Sequence, residues 1–360
     1  MKKVSVYVKG DRNSTAYYRI YQYLDNIDGI QCKYRMMMSP TVHNRYMPIS
    51  KQPIFVKVLV YIHIYCRMLW ALLCDLRKCP DVIVIHRRII SRLMPLSYRL
   101  LLIVLKKRGS RIVWDFDDNI IESGEVSKGT FTFYSEMADK IIVTHNALKE
   151  LVNHANHSKV NIMPTTDGDM YKLFQNSAIN NNRLTTLENE LALVWVATSS
   201  NLKYLEEIVP FLDDAAEDLI KRGKVVRLLV VCDQPLVLHC SFLTINNIKW
   251  SRDKAIDAMC QGHIGIMPLK DNEFTRGKGG FKLVQYMSVG LPSIGSNVGF
   301  NAHVLAGGAG ILVNNLKDWR DAIITLSTPG NWVKYSNSAY DRWCQEFSYD
   351  NNLNKWKTIV

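Results

Sequence analysis

The sequence predicts an α/β protein of two doubly wound, Rossmann-like domains that face each other across a cleft. Continuous apolar runs such as Val4–Val8 and Val225–Cys232 alternate with amphipathic stretches of helical length, as in parallel sheets. Hairpin signals between the runs are missing from the sequence. The length of 360 residues suits two cores better than one.

The first domain is predicted to span residues 1–170. Its first strand, Val4–Val8, is followed by Gly10 and by a helix that Ser14 and Thr15 open. Further strands are expected at 81–86, 111–114, 141–144 and 160–163, with helices at 54–76 and 94–108.

The second domain is predicted at 191–330, after a polar, aperiodic linker at 171–190. Its strands are expected at 191–197, 225–232, 264–267, 293–296 and 311–313, with helices at 281–289 and 316–326. Thr198, Ser199, Ser200 and Asn201 cap a helix that begins near Leu202. An aromatic helical tail at 331–360 ends the chain.

Charge is unevenly distributed. The chain carries a net +12, and residues 1–114 hold 21 Lys and Arg against 5 Asp and Glu. Neither a nucleic-acid module nor a basic run with stacking aromatics is present, so an anionic membrane surface is the expected partner and nucleic acid is not.

The apolar run after Lys3 is too short for a signal peptide. The eight cysteines form no C-x-x-C pair, which favours a reducing cytoplasm.

The stretch 54–76 is the most apolar in the chain. Lys57, His63, Arg67 and Asp75 interrupt it and fall within an arc of about 120° at helical spacing. We therefore predict an amphipathic helix and not a transmembrane one. Two interpretations stay open: packing on the sheet, and partial insertion at the membrane interface.

A glycine-rich loop leads into the predicted helix 281–289. Gly277, Gly279 and Gly280 let the backbone approach a ligand closely. Lys278 lies in the loop and Lys282 in the first helical turn, where the helix dipole disfavours a cation. A bound phosphate would offset that cost, so we predict a phosphate site here, with a solvated surface loop as the alternative.

This stretch resembles the donor-binding motif of GT-B glycosyltransferases of the large retaining group 1 family (family 4). The segment from Gln285 to Ile294 matches the second half of the family motif. Gln285 stands at the position of the ribose-binding glutamate, and Gly277 at that of the first glutamate. Weaker resemblances lie at 14–20, 111–119 and 164–167. In GT-B proteins the C-terminal tail returns to the first domain, and the resemblance implies the same for 331–360.

The resemblance and the residues together define the predicted site. Lys278 and Lys282 are the expected catalytic cations, with Arg19 contributing from across the cleft and Asp117 facing the acceptor. A solvated or ion-paired arginine is the alternative for Arg19, and a structural role is the alternative for Asp117. Donor binding is assigned to Thr198, Ser199, Asn201, Gly279, Gly280, Phe281 and Gln285.

No metal or other cofactor is expected in the reaction. Asp115-Phe116-Asp117 is spelled like the metal-binding DxD of the other glycosyltransferase fold, GT-A, and a metal site there is the less favoured alternative. His154 and His157 share a helix face, but without a third ligand they are interpreted as surface residues.

The expected function is transfer of a glycosyl unit from a nucleotide-sugar (UDP-, GDP- or similar) to a lipid-linked glycan acceptor in bacterial surface polysaccharide biosynthesis. The protein is expected in the cytoplasm, peripheral on the inner face of the plasma membrane. Two alternatives stay open: a non-catalytic nucleotide-sugar-binding partner subunit, motivated by Gly277 and Gln285, and a GT-B-like sugar-nucleotide epimerase.

Overall fold

The computed structural model describes residues 1–10, 15–46, 49–90, 92–170 and 177–360. These residues form two compact units. Unit 1 comprises residues 1–165 and 350–360, and unit 2 comprises residues 166–349. Each unit contains one six-stranded sheet in which every pair of neighbouring strands is parallel. The predicted fold class, two doubly wound α/β domains, is confirmed.

Unit 1 has the strand order β2-β1-β3-β4-β5-β6. The strands are β1 (Lys2–Val8), β2 (Ile30–Met36), β3 (Val82–His86), β4 (Arg111–Phe116), β5 (Lys140–Val143) and β6 (Val160–Ile162). The helices are α1 (Gln22–Leu24, after a π-helical turn at Tyr17–Tyr21), α2 (Pro40–Tyr46), α3 (Ile54–Lys78), α4 (Leu96–Lys107), α5 (Lys128–Met137) and α6 (Asn146–Lys149), with 3-10 turns at Ile49–Lys51 and His154–Lys159. Ser14, the expected cap of the first helix, lies outside the described residues.

Unit 2 has the strand order β12-β11-β10-β7-β8-β9. The strands are β7 (Glu190–Val196), β8 (Val225–Cys232), β9 (Thr244–Lys249), β10 (Ile264–Met267), β11 (Ser293–Ser296) and β12 (Ile311–Val313). The helices are α7 (Ser177–Leu187), α8 (Leu202–Glu206), α9 (Val209–Ile220), α10 (Arg252–Gln261), α11 (Glu273–Arg276), α12 (Phe281–Ser288), α13 (Asn301–Val304), α14 (Asp318–Leu326) and α15 (Pro329–Arg342). Shorter turns lie at Ser199–Asn201, Ala306–Gly308 and Trp343–Phe347, and α16 (Tyr349–Ile359) ends the chain.

These strand orders indicate where ligands bind. In doubly wound sheets the crevice lies beyond the carboxyl ends of the strands where the strand order reverses. In unit 1 this switch point falls between β1 and β3, and in unit 2 between β7 and β10. The loops after these four strands are therefore the candidate ligand-binding segments.

The structure differs from the sequence-based prediction at two places, the predicted linker at 171–190 and the C-terminal tail at 331–360. Of the interval 171–190, residues 177–187 form helix α7, whose Arg183 is buried and donates to the carbonyls of Met259 and Val289. Residues 171–176 lie outside the described residues. At the C-terminus, residues 331–349 belong to unit 2, and 350–360 pack in unit 1, where Trp356 is buried.

Helix α3 differs in one detail from the amphipathic helix that the sequence predicts. Asp75, placed on the polar arc, is buried, where it accepts hydrogen bonds from Ser5 and Tyr7 and pairs with Arg35. By length and composition α3 is the one helix in the described part of the chain that meets the criteria for a membrane span. However, Val60, Ile64 and Met68 along one face are packed in the core of unit 1.

Candidate functional site

The glycine loop of unit 2 joins α11 to α12. An Asn272–Thr275 capping box starts α11, and Gly280 is the residue that precedes α12. Gly280 has φ 62°, a left-handed conformation that L side chains rarely adopt, and a Cβ there would lie 3.0 Å from the side chain of Val304. The loop conformation therefore depends on glycine at this position.

Lys278 links this loop to the end of β7. Its ammonium group donates a 2.7 Å hydrogen bond to the amide oxygen of Asn201 and lies over the ring of Phe274, 5.2 Å from the ring centroid. Because Asn201 follows β7 and Lys278 follows β10, the two residues meet at the switch point of the sheet. Two segments selected independently from the sequence are thus brought together by the fold.

Thr198 and Ser199 lie in the same segment after β7. The backbone N–H and the hydroxyl of Ser199 both donate to Asp233, at 2.7 and 2.9 Å. Burial would raise the pKa of Asp233, but these bonds lower it on balance. The hydroxyl of Thr198 contacts Ser200 and accepts from Asn201. The Ser199 N–H, which we expected to be available to a phosphate, is therefore bonded to Asp233. The sequence analysis did not identify Asp233.

Helix α12 begins with Phe281 and Lys282, and Gly279 lies in the loop just before it. Lys282 and Phe281 are partly exposed. The eight-residue helix carries its positive dipole end here, so a cation in this turn is unfavourable unless an anion is bound. Tyr286 anchors the helix on the sheet, since its hydroxyl lies 3.3 Å from both the Val196 N–H and the Val194 carbonyl.

Gln285 lies on the buried side of α12. Its amide donates a 3.1 Å hydrogen bond to Asp167, which also pairs with Arg252 at 3.0 Å. Burial raises the pKa of Asp167, and Arg252 opposes that shift only in part. A glutamate at position 285 would place a second carboxylate against Asp167. Glutamine at position 285 therefore avoids a second buried carboxylate beside Asp167.

Arg19, in unit 1, is fully buried. Its guanidinium pairs with Asp115 and donates to the Met163 carbonyl, and the second oxygen of Asp115 lies 2.7 Å from Nδ1 of His86. These residues gather at the switch point between β1 and β3. Arg19 therefore has a structural partner, and the structure adds His86, which the sequence analysis noted only as a strand end.

Asp117 is also engaged by an arginine. Arg87 bonds Asp117 at 2.6 Å, Asp118 at 2.8 Å and Glu125 at 2.7 Å. Arg87 has φ 59°, a strained conformation for a side-chain-bearing residue. Burial would raise the pKa of Asp117, but Arg87 holds it well below its usual range. Both oxygens of Asp115 are thus bonded, to Arg19 and His86, and one oxygen of Asp117 is bonded to Arg87.

The two switch points therefore offer different chemistry. In unit 2, glycine backbone, two lysines and a helix N-terminus form an arrangement suited to a diphosphate. In unit 1, arginines and carboxylates neutralise one another. The Thr198–Asn201 segment and the glycine loop are in one unit, whereas Arg19 and Asp117 are in the other.

Part of the chain matches a family model, and the whole chain resembles several solved structures. Residues 193–328 match the family model described as glycosyl transferases group 1. Alr3699/HepE from Anabaena, solved in complex with UDP, is 12% identical, with a TM-score of 0.67 over 100% of this chain and 99% of that chain. Sucrose-phosphate synthase from Thermosynechococcus elongatus is also 12% identical, with a TM-score of 0.64 over 100% and 98%. A glycosyltransferase from Rickettsia africae ESF-5 has 12% identity and a TM-score of 0.62 over 99% and 97%. No curated protein matches significantly.

The fold defines the class of the protein: it is an α/β protein of the GT-B type. Residues 193–328 match the model of the glycosyl transferases group 1 family, and the whole chain has the fold of the GT-B structures named above. The expectation drawn from the motif around Gln285 and Ile294 is confirmed at this level.

Proposed function

We propose that the protein transfers a glycosyl unit from a UDP-sugar to a lipid-linked glycan acceptor in the biosynthesis of a bacterial surface polysaccharide. The observation that carries the donor assignment is the meeting of Lys278 with Asn201 at the unit 2 switch point, beside glycine backbone and Lys282. UDP is preferred over GDP because the HepE structures contain UDP or UDP-glucose.

Departure of the nucleoside diphosphate requires stabilisation of the charge that develops on it. Lys278, Lys282 and the amides at Gly279 and Gly280 are the groups that supply it in this proposal. Thr198 and Asn201 contribute polar oxygens and nitrogens to the donor, and Gln285 offers its amide oxygen to the ribose. Retention of anomeric configuration is proposed from the family resemblance alone.

Arg19 and Asp117 have a narrower role here than the catalytic role predicted from the sequence. Their buried pairs with Asp115 and Arg87 support a role in shaping the acceptor side. They orient neighbouring groups, and contact with the reacting atoms is a prediction to be tested. No metal is assigned to the transfer step.

The acceptor assignment rests on the outer surface of unit 1. Helix α3 exposes a run of large apolar side chains, and α4 packs beside it through Tyr65 and Tyr98. The exposed apolar residues are Ile54, Phe55, Val58, Leu59, Tyr61, Ile62, Trp70 and Leu73 on α3, and Leu96, Leu100 and Val104 on α4. We call these residues the α3–α4 face.

The part of the sequence that contains α3 and α4 is strongly basic. Between Asp28 and Asp115 the sequence contains only two acidic residues, Asp75 and Asp81, and Asp75 is buried. Apolar side chains bordered by cations favour the headgroup region of an anionic bilayer. We therefore propose peripheral attachment through this face to the inner side of the plasma membrane, where a lipid-linked acceptor resides.

Vesicle sedimentation tests the membrane proposal. Vesicles with about one third phosphatidylglycerol should retain the protein at low salt and release most of it at 1 M salt, because exposed charges are screened. The double variant Phe55→Ser/Trp70→Ser should bind several-fold more weakly. Val237→Ser, which removes an exposed apolar side chain from unit 2, is the matched control. Failure of the wild type to bind at low salt would remove the attachment and leave the donor assignment intact.

Two rival functions remain for assay. A non-catalytic binding subunit is favoured by Gly277, which cannot replace a carboxylate at the sugar. An epimerase is suggested by a fold neighbour named as a putative UDP-N-acetylglucosamine 2-epimerase from Listeria monocytogenes. Incubation of UDP-sugars with a membrane lipid extract separates them. Transfer releases UDP only when the lipid is present, epimerisation interconverts the sugar without lipid, and a binding subunit does neither while still binding UDP.

A further inference from the structure

A histidine pair on the surface of unit 1 has a third potential ligand that the sequence did not reveal. The metal-binding atoms of Glu150, His154 and His157 all lie within 4.8 Å of one another. Among the residues that the structure describes, this is the one group of three or more His, Cys, Asp or Glu side chains so arranged. It lies just before β6, apart from Arg19, Asp115 and Asp117 in the sequence.

Local backbone structure produces this arrangement. Residues His154–Lys159 form a 3-10 helix, in which side chains at i and i+3 eclipse one another. His154 and His157 are therefore on the same side of the turn, with ring centroids 4.4 Å apart. Asn153 caps the turn by accepting a 3.0 Å bond from the Ala155 N–H. Glu150 is held separately, because its N–H bonds the carbonyl of Asn146 at the end of α6.

His157 is also oriented by a hydrogen bond of its own. Its Nε2 lies 2.8 Å from the carbonyl oxygen of Val152. A carbonyl can only accept, so Nε2 carries the proton and Nδ1 presents its lone pair. Metal-ligating histidines in proteins have this same feature: the second ring nitrogen donates to a backbone carbonyl or a carboxylate, which fixes the tautomer.

We propose that Glu150, His154 and His157 bind Zn²⁺, with water in the remaining position. Two imidazoles and one carboxylate match the nitrogen and oxygen ligands that zinc accepts, whereas Mg²⁺ and Ca²⁺ prefer oxygen ligands throughout. Glu150 and His154 are exposed and His157 is half-buried, so an ion has free access. Bound zinc cross-links the end of α6 to the 3-10 turn before β6, and so stabilises unit 1.

This site is separate from glycosyl transfer. It does not involve the glycine loop of unit 2, and it leaves the proposed transfer step free of metal. The expected consequence is added stability of unit 1 that rises with the logarithm of the zinc concentration above Kd, because a ligand that binds only the folded state shifts the unfolding equilibrium.

Cobalt titration tests the proposal, because Co²⁺ in a low-coordinate nitrogen and oxygen site absorbs visible light and zinc displaces it. The fully reduced full-length protein should bind one equivalent of Co²⁺, which Zn²⁺ but not Mg²⁺ competes away. His154→Ala and Glu150→Gln should each weaken binding at least about tenfold, as loss of even an outer partner of a metal ligand does. His303→Ala is the matched control, because His303 pairs with Glu346 but belongs to no group of three such side chains among the described residues.

Thermal unfolding provides a second measurement. Zinc should raise the midpoint of the wild type and of His303→Ala, and should not raise that of His154→Ala. Equal Co²⁺ affinity in the wild type and His154→Ala would overturn the proposal. So would a spectrum dominated by thiolate-to-cobalt charge transfer, since it would assign the metal to cysteines.

Discussion

The two units place cations at equivalent positions of their sheets but give them different partners. In unit 1, Arg19 and Arg87 follow β1 and β3 and are paired with the carboxylates of Asp115, Asp117 and Asp118. In unit 2, Lys278 follows β10 and donates to a neutral amide oxygen on Asn201. A carboxylate partner brings a negative charge to the cation, whereas an amide oxygen that accepts from it brings none.

The same contrast extends to buried histidines. His86 of unit 1 lies against the carboxylate of Asp115. His263 of unit 2 accepts the Ala192 N–H at Nδ1, and its Nε2 lies near the hydroxyl of Thr186 and the carbonyl of Arg183. Unit 1 thus places paired buried charges at its strand ends, whereas His263 of unit 2 is held by neutral hydrogen bonds. Substitutions in each unit test this difference.

The largest effect is expected for Arg19→Met in unit 1. The substitution removes the charge from a fully buried pair and leaves the Asp115 carboxylate without its guanidinium. Breaking such a pair costs about 3–5 kcal/mol of the free energy of unfolding. Urea denaturation measures it. Arg320→Met, which removes an exposed arginine paired with Asp218 and Asp321, is the control and should cost about 0–1 kcal/mol. Equal losses in both variants would show that burial adds nothing at Arg19.

The next effect concerns pH and His263. Burial lowers the pKa of His263 to about 4, below the ordinary value of 6.5. The unfolded chain therefore takes up the proton more readily than the folded one. Stability should be full above about pH 6.5, decline as the pH falls towards 4, and level off below that, for a total of about 3 kcal/mol from this group.

Urea denaturation at a series of pH values between 4 and 7.5 checks this expectation. In His263→Gln the part of the slope between pH 6.5 and 4 should disappear, while the carboxylates still titrate in both proteins. An unchanged slope in the variant would show that His263 accepts a proton in the folded state as easily as in the unfolded one.

A smaller effect, of about 1.5–3 kcal/mol, is expected for Lys282→Met on UDP binding. Methionine keeps the aliphatic stem and removes the charge. Loss of a charge-assisted bond to phosphate corresponds to roughly ten- to hundredfold weaker affinity. Stability without UDP should change little, because an unfavourable contact with the helix dipole disappears as well. Gln285→Ala should weaken UDP binding less, by about one neutral hydrogen bond.

Calorimetric titration of UDP into the wild type and both variants gives these affinities. Lys317→Met, on the surface before α14, controls for the general loss of positive charge. If Lys282→Met binds UDP as tightly as Lys317→Met does, the glycine loop is a structural element and the donor site lies elsewhere.

The smallest expected effect is that of metal removal on glycosyl transfer. Transfer should persist in EDTA within about twofold, because lysines and a helix N-terminus stabilise the diphosphate. Activity of His154→Ala should be equally insensitive, which separates any loss of the proposed zinc from the reaction. A complete loss of activity in EDTA that Mn²⁺ restores, together with an inactive Asp117→Ala variant, would instead favour a DxD metal site.

The sequence by itself determined the fold class and most of the elements of the two sheets. The strands Val225–Cys232, Ile264–Met267 and Ser293–Ser296 have the predicted bounds. Gly290, with φ 57°, takes a left-handed conformation just beyond α12, as is usual for a glycine that ends a helix. These features follow from local chemistry: apolar runs, glycine conformations and proline stops act within a few residues. Strands β2 and β9 escaped prediction because their side chains alternate between exposure and partial burial at sheet edges.

Only the tertiary structure decided the order of the strands, and with it the partners of every site residue. Lys278 reaches Asn201 across 77 positions, Gln285 reaches Asp167 across 118, and Arg19 reaches Asp115 across 96. Whether an arginine or a lysine is neutralised depends on which carboxylates the sheet brings beside it. A single sequence does not contain that information, because hydrogen bonds and ion pairs act over a few ångströms between residues that the chain keeps far apart.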